Sequence, residues 1–385
     1  MELVRVAIAG AGVGGLAVAG GLLRAGADVW VFERSEAAMT SGFALSLFEN
    51  GLRALDRLGL GAATRALSPA AAPRVTSGIR NHKGRWISRF GPDVTRSTHL
   101  VAREALSAVL RAPVEDRVEY GRQVVAVETG QVTLADGHSE GGFDLVVVAD
   151  GARSLLRTRW PHDPGLRYVG VHAWRGLTRG PVEVGGLGEI WGHGRLFGLA
   201  PLPDGRMYWF ATLRVSEDSP PEASVAAVRE AFGRYDLPDV GSVLATTDDD
   251  RVACHPITEM RSPCPSLVQG RAVLVGDAAH AMTPNLGQGA NQALEDAALL
   301  VHQLSPVARS VRPSQEEVGF RLQEWDVARR SRVRVVASRS SRIGRVTQIS
   351  TPLGCTIRNT VIGWVPDRLL DEAAVKLQAW DVVDG

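Results

Sequence analysis

A chain of 385 residues, 45% hydrophobic and 22% charged, can bury two or three domain-sized cores. Its 43 basic and 42 acidic side chains nearly cancel to +1, so no electrostatic footprint for nucleic acid or an anionic membrane stands out. The three cysteines, Cys254, Cys264 and Cys355, are too scattered for a disulfide framework or a zinc site, which points to the cytoplasm.

Residues Arg5–Ala9 form a short apolar run suited to a strand buried on both faces, and a helix follows to about Arg24. The uncharged stretch from Val6 to Leu23 has the length of a membrane span. Glycines fill its centre and no basic segment precedes it, so it reads as a strand and a tightly packed helix. Asp28–Arg34 completes a β-α-β start. Helical spacing returns over Glu49–Leu58, stopped by Gly59, and a further helix is predicted over Thr98–Arg111. Glu119–Glu128 and Gln131–Leu134 read as a hairpin about Thr129-Gly130, and Phe143–Ala149 as another buried strand. From Leu166 to Val215 the texture turns aromatic and alternating, with two long strands joined at Pro203-Asp204-Gly205. Such an antiparallel sheet leaves one face for a cavity or partner. A helix over Pro221–Tyr235, a strand over Arg271–Val275, and helices over Asn291–Leu304 and Gln315 to about Arg342 complete the chain.

Gly10-Ala11-Gly12-Val13-Gly14-Gly15 fits GxGxxG between a strand and a helix. Gly10 permits the turn, Gly12 admits a pyrophosphate, and Gly15 lets the helix lie close to the strand. Glu33 ends the second strand, where an acid can accept from a ribose 2′-OH and disfavours a 2′-phosphate. These residues predict a dinucleotide and leave NAD and FAD both open. Asp150-Gly151 follows a second buried strand, and Gly276-Asp277 a third, where a carboxylate can hold a sugar or ribityl hydroxyl. Gly287 to Asn291 leads into a helix whose free N–H groups can face an electron-rich ring edge. Gly192-His193-Gly194 offers no second nucleotide site, because a strand follows where a helix is required.

The ordered set of GxGxxG with Glu33, the Asp150-Gly151 segment, and the Gly276-Asp277…Pro284…Gly287 segment resembles the flavoprotein aromatic hydroxylase family, which includes salicylate, urate and para-hydroxybenzoate hydroxylases. The resemblance implies an α/β fold: a Rossmann-like FAD-binding domain with an inserted mixed β-sheet substrate domain and C-terminal helices. It places the FAD domain at 1–70, 99–160 and 265–345, the substrate domain at 71–98 and 161–264, and a helical segment at 346–385. It implies that Gly10, Gly12, Gly14, Gly15, Glu33 and Arg34 hold the ADP half of non-covalent FAD, with Arg103 and Val124 against the cofactor and Asp150 near the pyrophosphate. Gly276 and Asp277 would hold the ribityl chain, and Pro284, Gly287, Gly289, Ala290 and Asn291 the flavin ring. Trp174-Arg175-Gly176 matches a family strand at the domain junction. NAD(P)H would reduce the flavin, and dioxygen would form a C4a-hydroperoxide that hydroxylates a small aromatic substrate. Epoxidation, Baeyer–Villiger insertion and a non-catalytic FAD module are the alternatives. Arg195 and Tyr208, on the substrate strands, resemble pocket residues of the urate-type enzymes and are the catalytic candidates, with His82 and His193 behind them. No metal, nucleic acid or membrane partner is expected, and the chain is expected to be a monomer or homodimer.

Overall fold

The computed structural model describes residues 4–39, 42–68, 75–233, 235, 237–308 and 314–380. The domain boundary expected between 70 and 71 lies outside these residues. The apolar runs of the sequence build one six-stranded sheet, in the order Val268–Gln269, Ala272–Leu274, Leu145–Val148, Arg5–Ala9, Asp28–Phe32, Val118–Glu119. All its pairings are parallel except that between the first two strands. Parallel strands covered by helices on both faces must be apolar on both sides, and Val6, Ile8, Val29, Val31, Val146 and Val147 are at most 1% exposed. The Val13–Ala25 and Gly289–Ala308 helices pack together beside this sheet, where Gly21 brings the backbones close. The parallel strands all end on one side, which is where open α/β sheets bind their ligands.

A second, seven-stranded sheet runs Val252–Met260, Leu166–Pro181, Arg206–Arg214, Arg195–Pro201, Leu187–Trp191, Ser77–Asn81, Trp86–Arg89. Only the Leu187–Trp191/Ser77–Asn81 pairing is parallel, so the sheet is mixed. One face buries Trp174, Phe197, Trp209 and Ala211 against the helices Val225–Phe232 and Pro238–Ala245. The other carries Tyr208, Phe210, Leu177 and Ala200 against Phe43, Ala44 and Leu100. Ala44 and Leu100 belong to a two-stranded ribbon, Ala44–Leu47 with His99–Ala102, that joins the two sheets.

Several predicted elements change. The first of the two long strands expected about Pro203-Asp204-Gly205 is itself a hairpin, Leu187–Trp191 paired with Arg195–Pro201, because the chain turns at Gly192–Arg195 with Gly194 at φ 63. The helix expected over Asn291–Leu304 spans Gly289–Ala308. The helix expected over Thr98–Arg111 starts at Arg103, because His99–Ala102 is taken by the ribbon. The strand expected over Glu119–Glu128 is split, with Gly121 at φ 69 between Val118–Glu119 and Val124–Glu128. Ser224 shortens the Pro221–Tyr235 helix by capping Ala227 N–H, so the helix covers Val225–Phe232. The arginine-rich helix runs unbroken over Gln315–Thr347, and two further helices, Pro352–Trp364 and Asp367–Gln378, follow. No helix among the described residues is long and apolar enough to cross a membrane.

Candidate active site

The glycine loop caps the sheet at the end of its first strand. Gly10 has φ 107, and a Cβ there would sit 2.4 Å from the Ala149 carbonyl oxygen. A Cβ on Gly15 would fall 2.0 Å from Gly10 O. These two glycines are demanded by the chain's own packing. Gly12 differs: its φ of −77° suits any residue, and no heavy atom lies within 4 Å of its Cβ position. That open space above a helix N-terminus is the cradle a pyrophosphate needs. Gly14 faces Val275 and Ala293 instead and serves helix packing. Glu33 turns back onto the loop, its carboxylate accepting from Ala11 N–H at 2.7 Å and Ser35 N–H at 2.9 Å. The Gly121–Arg122 backbone bonds Ser35 O and Glu33 O, which brings the buried Val124 to the same corner. Arg34 and Arg103 are exposed, and Arg103 opens its helix with its N–H on Phe43 O. Asp150 sits at the next strand end with Oδ1 buried and without a partner, while Oδ2 accepts weakly from Leu156 N–H at 3.4 Å. A buried carboxylate oxygen left unpaired beside an open glycine cradle fits a polar cofactor. The residues present therefore fit FAD.

The second half of the cradle is a turn held from beneath by buried charge. Gly276 adopts φ 64, ψ −141, and its N–H donates to Asp296 Oδ2 at 2.8 Å. His280 Nε2 meets the same oxygen at 2.7 Å, and Arg329 Nε donates to Oδ1 at 2.7 Å. Arg329 also donates to Glu295 and Gln292, and Arg332 to Glu295. Burial alone would push the Asp296 carboxyl up, but His280 and Arg329 outweigh it and hold the group at about 2. Above this network Asp277 is exposed, its Oδ1 3.8 Å from the Cβ position of Gly289, at the start of the Gly289–Ala308 helix. Pro284 and Gly287 are also exposed, with Gly287 left-handed at φ 61. Gly289 and Ala290 offer first-turn N–H groups that no helical carbonyl can reach. The Asn291 side chain, by contrast, is engaged by the protein itself: it accepts from Phe48 N–H and donates to Ser46 O and Gly287 O. It clips the helix to the ribbon, so only its backbone remains for a ligand.

The face of the mixed sheet turned toward this turn carries the remaining chemistry. Tyr208 is nearly buried, and burial pushes its phenol up while the neighbouring Arg175 guanidinium opposes the rise. Arg195 is not beside it. Its guanidinium donates to the carbonyls of Ala231 and His193 on the opposite face, where Tyr235 OH bonds Arg195 O. The pairings Arg195↔Leu213 and Ala200↔Tyr208 put the two candidates on opposite sides of one hairpin. His82 and His193 stand edge to face, 5.0 Å apart, with Tyr235 on the Arg195 side, and burial, then His193, pushes the His82 imidazole down. The structure thus brings Arg175, rather than Arg195, His82 or His193, to Tyr208. Glu189, on the Tyr208 face, was missed by reading sequence. Its only signal was an acid inside the apolar run Leu187-Gly188-Glu189-Ile190-Trp191.

The chain matches the family described as FAD binding domain over residues 3–315. It is 34% identical to the aurachin C monooxygenase/isomerase of Stigmatella aurantiaca, over 93% of each chain. It is also 34% identical to the 2-heptyl-3-hydroxy-4(1H)-quinolone synthase of Pseudomonas aeruginosa, over 94% of each. Among solved structures, Klebsiella pneumoniae HpxO with FAD and uric acid superimposes with a TM-score of 0.84 at 24% identity, covering 97% of this chain and 96% of that one.

Proposed function

Because the chain belongs to the FAD binding domain family of flavoprotein aromatic hydroxylases, we propose that this FAD-dependent, NAD(P)H-using monooxygenase hydroxylates a fused nitrogen heteroaromatic of the 4-quinolone type. The observation that carries the substrate class is the near full-length similarity to two enzymes, one of which is named for a 3-hydroxylated 4(1H)-quinolone. The cradle of Gly12, Glu33, Asp150, Asp277 and the Gly289 helix N-terminus would hold FAD, which supplies dioxygen activation when bound. Substrate would lie between that turn and the sheet face of Tyr208, Phe210 and Leu177, an apolar floor with few polar anchors. Arg175 and Tyr208 would hold the ring oxygen and so orient the ring toward the cofactor. The scattered cysteines, free in the structure, support a reducing compartment.

The test is NAD(P)H consumption by FAD-loaded protein, with and without 2-methyl-4(1H)-quinolone, followed by product mass. Stimulated consumption with one oxygen atom added to the ring is expected. Unstimulated consumption with quinolone, alongside clear stimulation by a carbocyclic phenol such as salicylate, would overturn the substrate class.

A further inference from the structure

The pairings of the mixed sheet set one row of residues side by side on the face turned toward the cofactor cradle. Glu189 pairs with Gly198, Gly198 with Phe210, Phe210 with Arg175, and Arg175 with Ala253. Directly paired residues of antiparallel strands point to the same side, so Glu189, Phe210 and Arg175 share a face. The glycine at 198 has a physical reason: a Cβ there would sit 2.1 Å from the Phe210 ring. The far edge of that ring therefore sits over Gly198 on the neighbouring strand, between Glu189 and Arg175, and gives the row an aromatic middle with an acid at one end and a cation at the other.

Glu189 has no structural need for its charge. Among the described residues its one partner is Trp191 Nε1, which donates to Oε2 at 2.6 Å, and no cation pairs with it. The side chain keeps some access to solvent, yet burial pushes its carboxyl up. An enclosed carboxylate without a counter-ion is costly, and a neutral glutamine would satisfy Trp191 equally well. Three strand intervals separate the ends of the row, roughly 14 Å at about 4.8 Å each. Two hydrogen bonds of about 2.9 Å and a six-membered ring between them span roughly 10 Å, which the two side chains can bracket from their strands.

Resting on the substrate class above, we propose that Glu189 is the hydrogen-bond acceptor for the ring N–H of the substrate, opposite the ring oxygen held by Arg175 and Tyr208. In a 4(1H)-quinolone the N–H and the oxygen stand at opposite ends of one ring, matching the acid and the cation of the row. Accepting the N–H also pushes electron density from nitrogen into the ring, toward the carbon that attacks oxygen. Glu189 thereby fixes both which heterocycle binds and which edge faces the cofactor.

The experiment measures binding of 2-methyl-4(1H)-quinolone and its N-methyl derivative to FAD-loaded protein, read from the flavin absorbance change, in wild type, Glu189→Gln and Glu189→Ala. Wild type should prefer the N–H compound by roughly 10- to 150-fold, the range for a hydrogen bond to a charged acceptor. Glu189→Ala should lower that preference to within about 3-fold, and Glu189→Gln should leave an intermediate value. FAD content should match wild type in both. If Glu189→Ala fails to retain FAD, Glu189→Gln carries the comparison alone. Equal wild-type binding of both compounds, or an undiminished preference in the variants, overturns the role of Glu189 and leaves the substrate class standing. Failure of wild type to bind either compound removes the substrate class and the assignment with it.

Discussion

Replacing Asp296 with asparagine should cost more than its size suggests, because the change preserves volume and breaks an arrangement of donors. Asp296 is fully buried and receives Gly276 N–H on Oδ2 and Arg329 Nε–H on Oδ1. Both are obligatory donors, and they sit on different oxygens. An amide offers one oxygen, so its NH2 group must face either Gly276 or Arg329. The loss also leaves the buried Arg329 short of one of its two anions. Breaking one partner from a buried ionic cluster costs about 3–5 kcal/mol, a large share of the roughly 5–15 kcal/mol that keeps a domain folded. At a slope of about 3 kcal/mol per molar urea, the unfolding midpoint should fall by roughly 1 to 1.7 M. Tryptophan fluorescence can follow the transition. FAD titration at low urea should show weaker binding as well, because the bond from Gly276 holds the left-handed turn that presents Asp277. Acid gives a second handle. The native Asp296 carboxyl stays ionised to about 2, well below the ordinary value of 3.8. Its contribution is therefore complete above the ordinary carboxylate range and is lost as pH falls through about 2. The gap between wild type and variant should accordingly shrink from about pH 5 downward. An unchanged midpoint together with unchanged FAD affinity would refute the reasoning.

Gly12→Val should keep the unfolding midpoint of the cofactor-free protein and abolish FAD binding, since the added atoms enter open space rather than the chain's own packing. Retained flavin absorbance after gel filtration would show that the loop has another role. Arg175→Met and Arg195→Met should separate cleanly: the first should raise KM for substrate at least ~10-fold and release hydrogen peroxide, while the second should lower stability and leave KM within about 2-fold. A KM rise in Arg195→Met equal to that in Arg175→Met would return Arg195 to the substrate side of the sheet.

The cofactor cradle was legible because its signals are local. A strand, a glycine loop and a helix follow each other between Arg5 and Ala25, and Glu33 falls in register at the next strand end. The Asp150 and Asp277 turns likewise follow buried strands directly. What stayed hidden depends on pairing between distant segments. Asn291 looks like a helix-start residue in sequence, but its side chain is consumed by Ser46 and Phe48, more than 240 positions away. The charge network under the turn joins Asp296 to Arg329, two ordinary-looking members of separate helices.

Arg195 is the instructive case, since the information that separates it from Tyr208 was present. The Pro203-Asp204-Gly205 turn fixes a hairpin in which the paired residues are Pro201↔Met207, Leu199↔Trp209 and Phe197↔Ala211. Every pair joins residues of equal parity, so an odd-numbered residue on one strand shares a face with odd-numbered residues on the other. Arg195 is odd and Tyr208 is even, which places them on opposite faces from the turn alone. The same parity puts Phe210 and Gly198 with Tyr208. Glu189 follows from the next turn as well, because Gly192 N–H bonds Arg195 O across a tight turn with a left-handed Gly194, which pairs Glu189 with Gly198. Arg175 needs the pairing Phe210↔Arg175, and no turn joins those two strands directly. That register decides whether a cation shares the pocket floor with the acid, so the cation at the substrate end is set by long-range strand pairing, whereas the cofactor end is set by local turns.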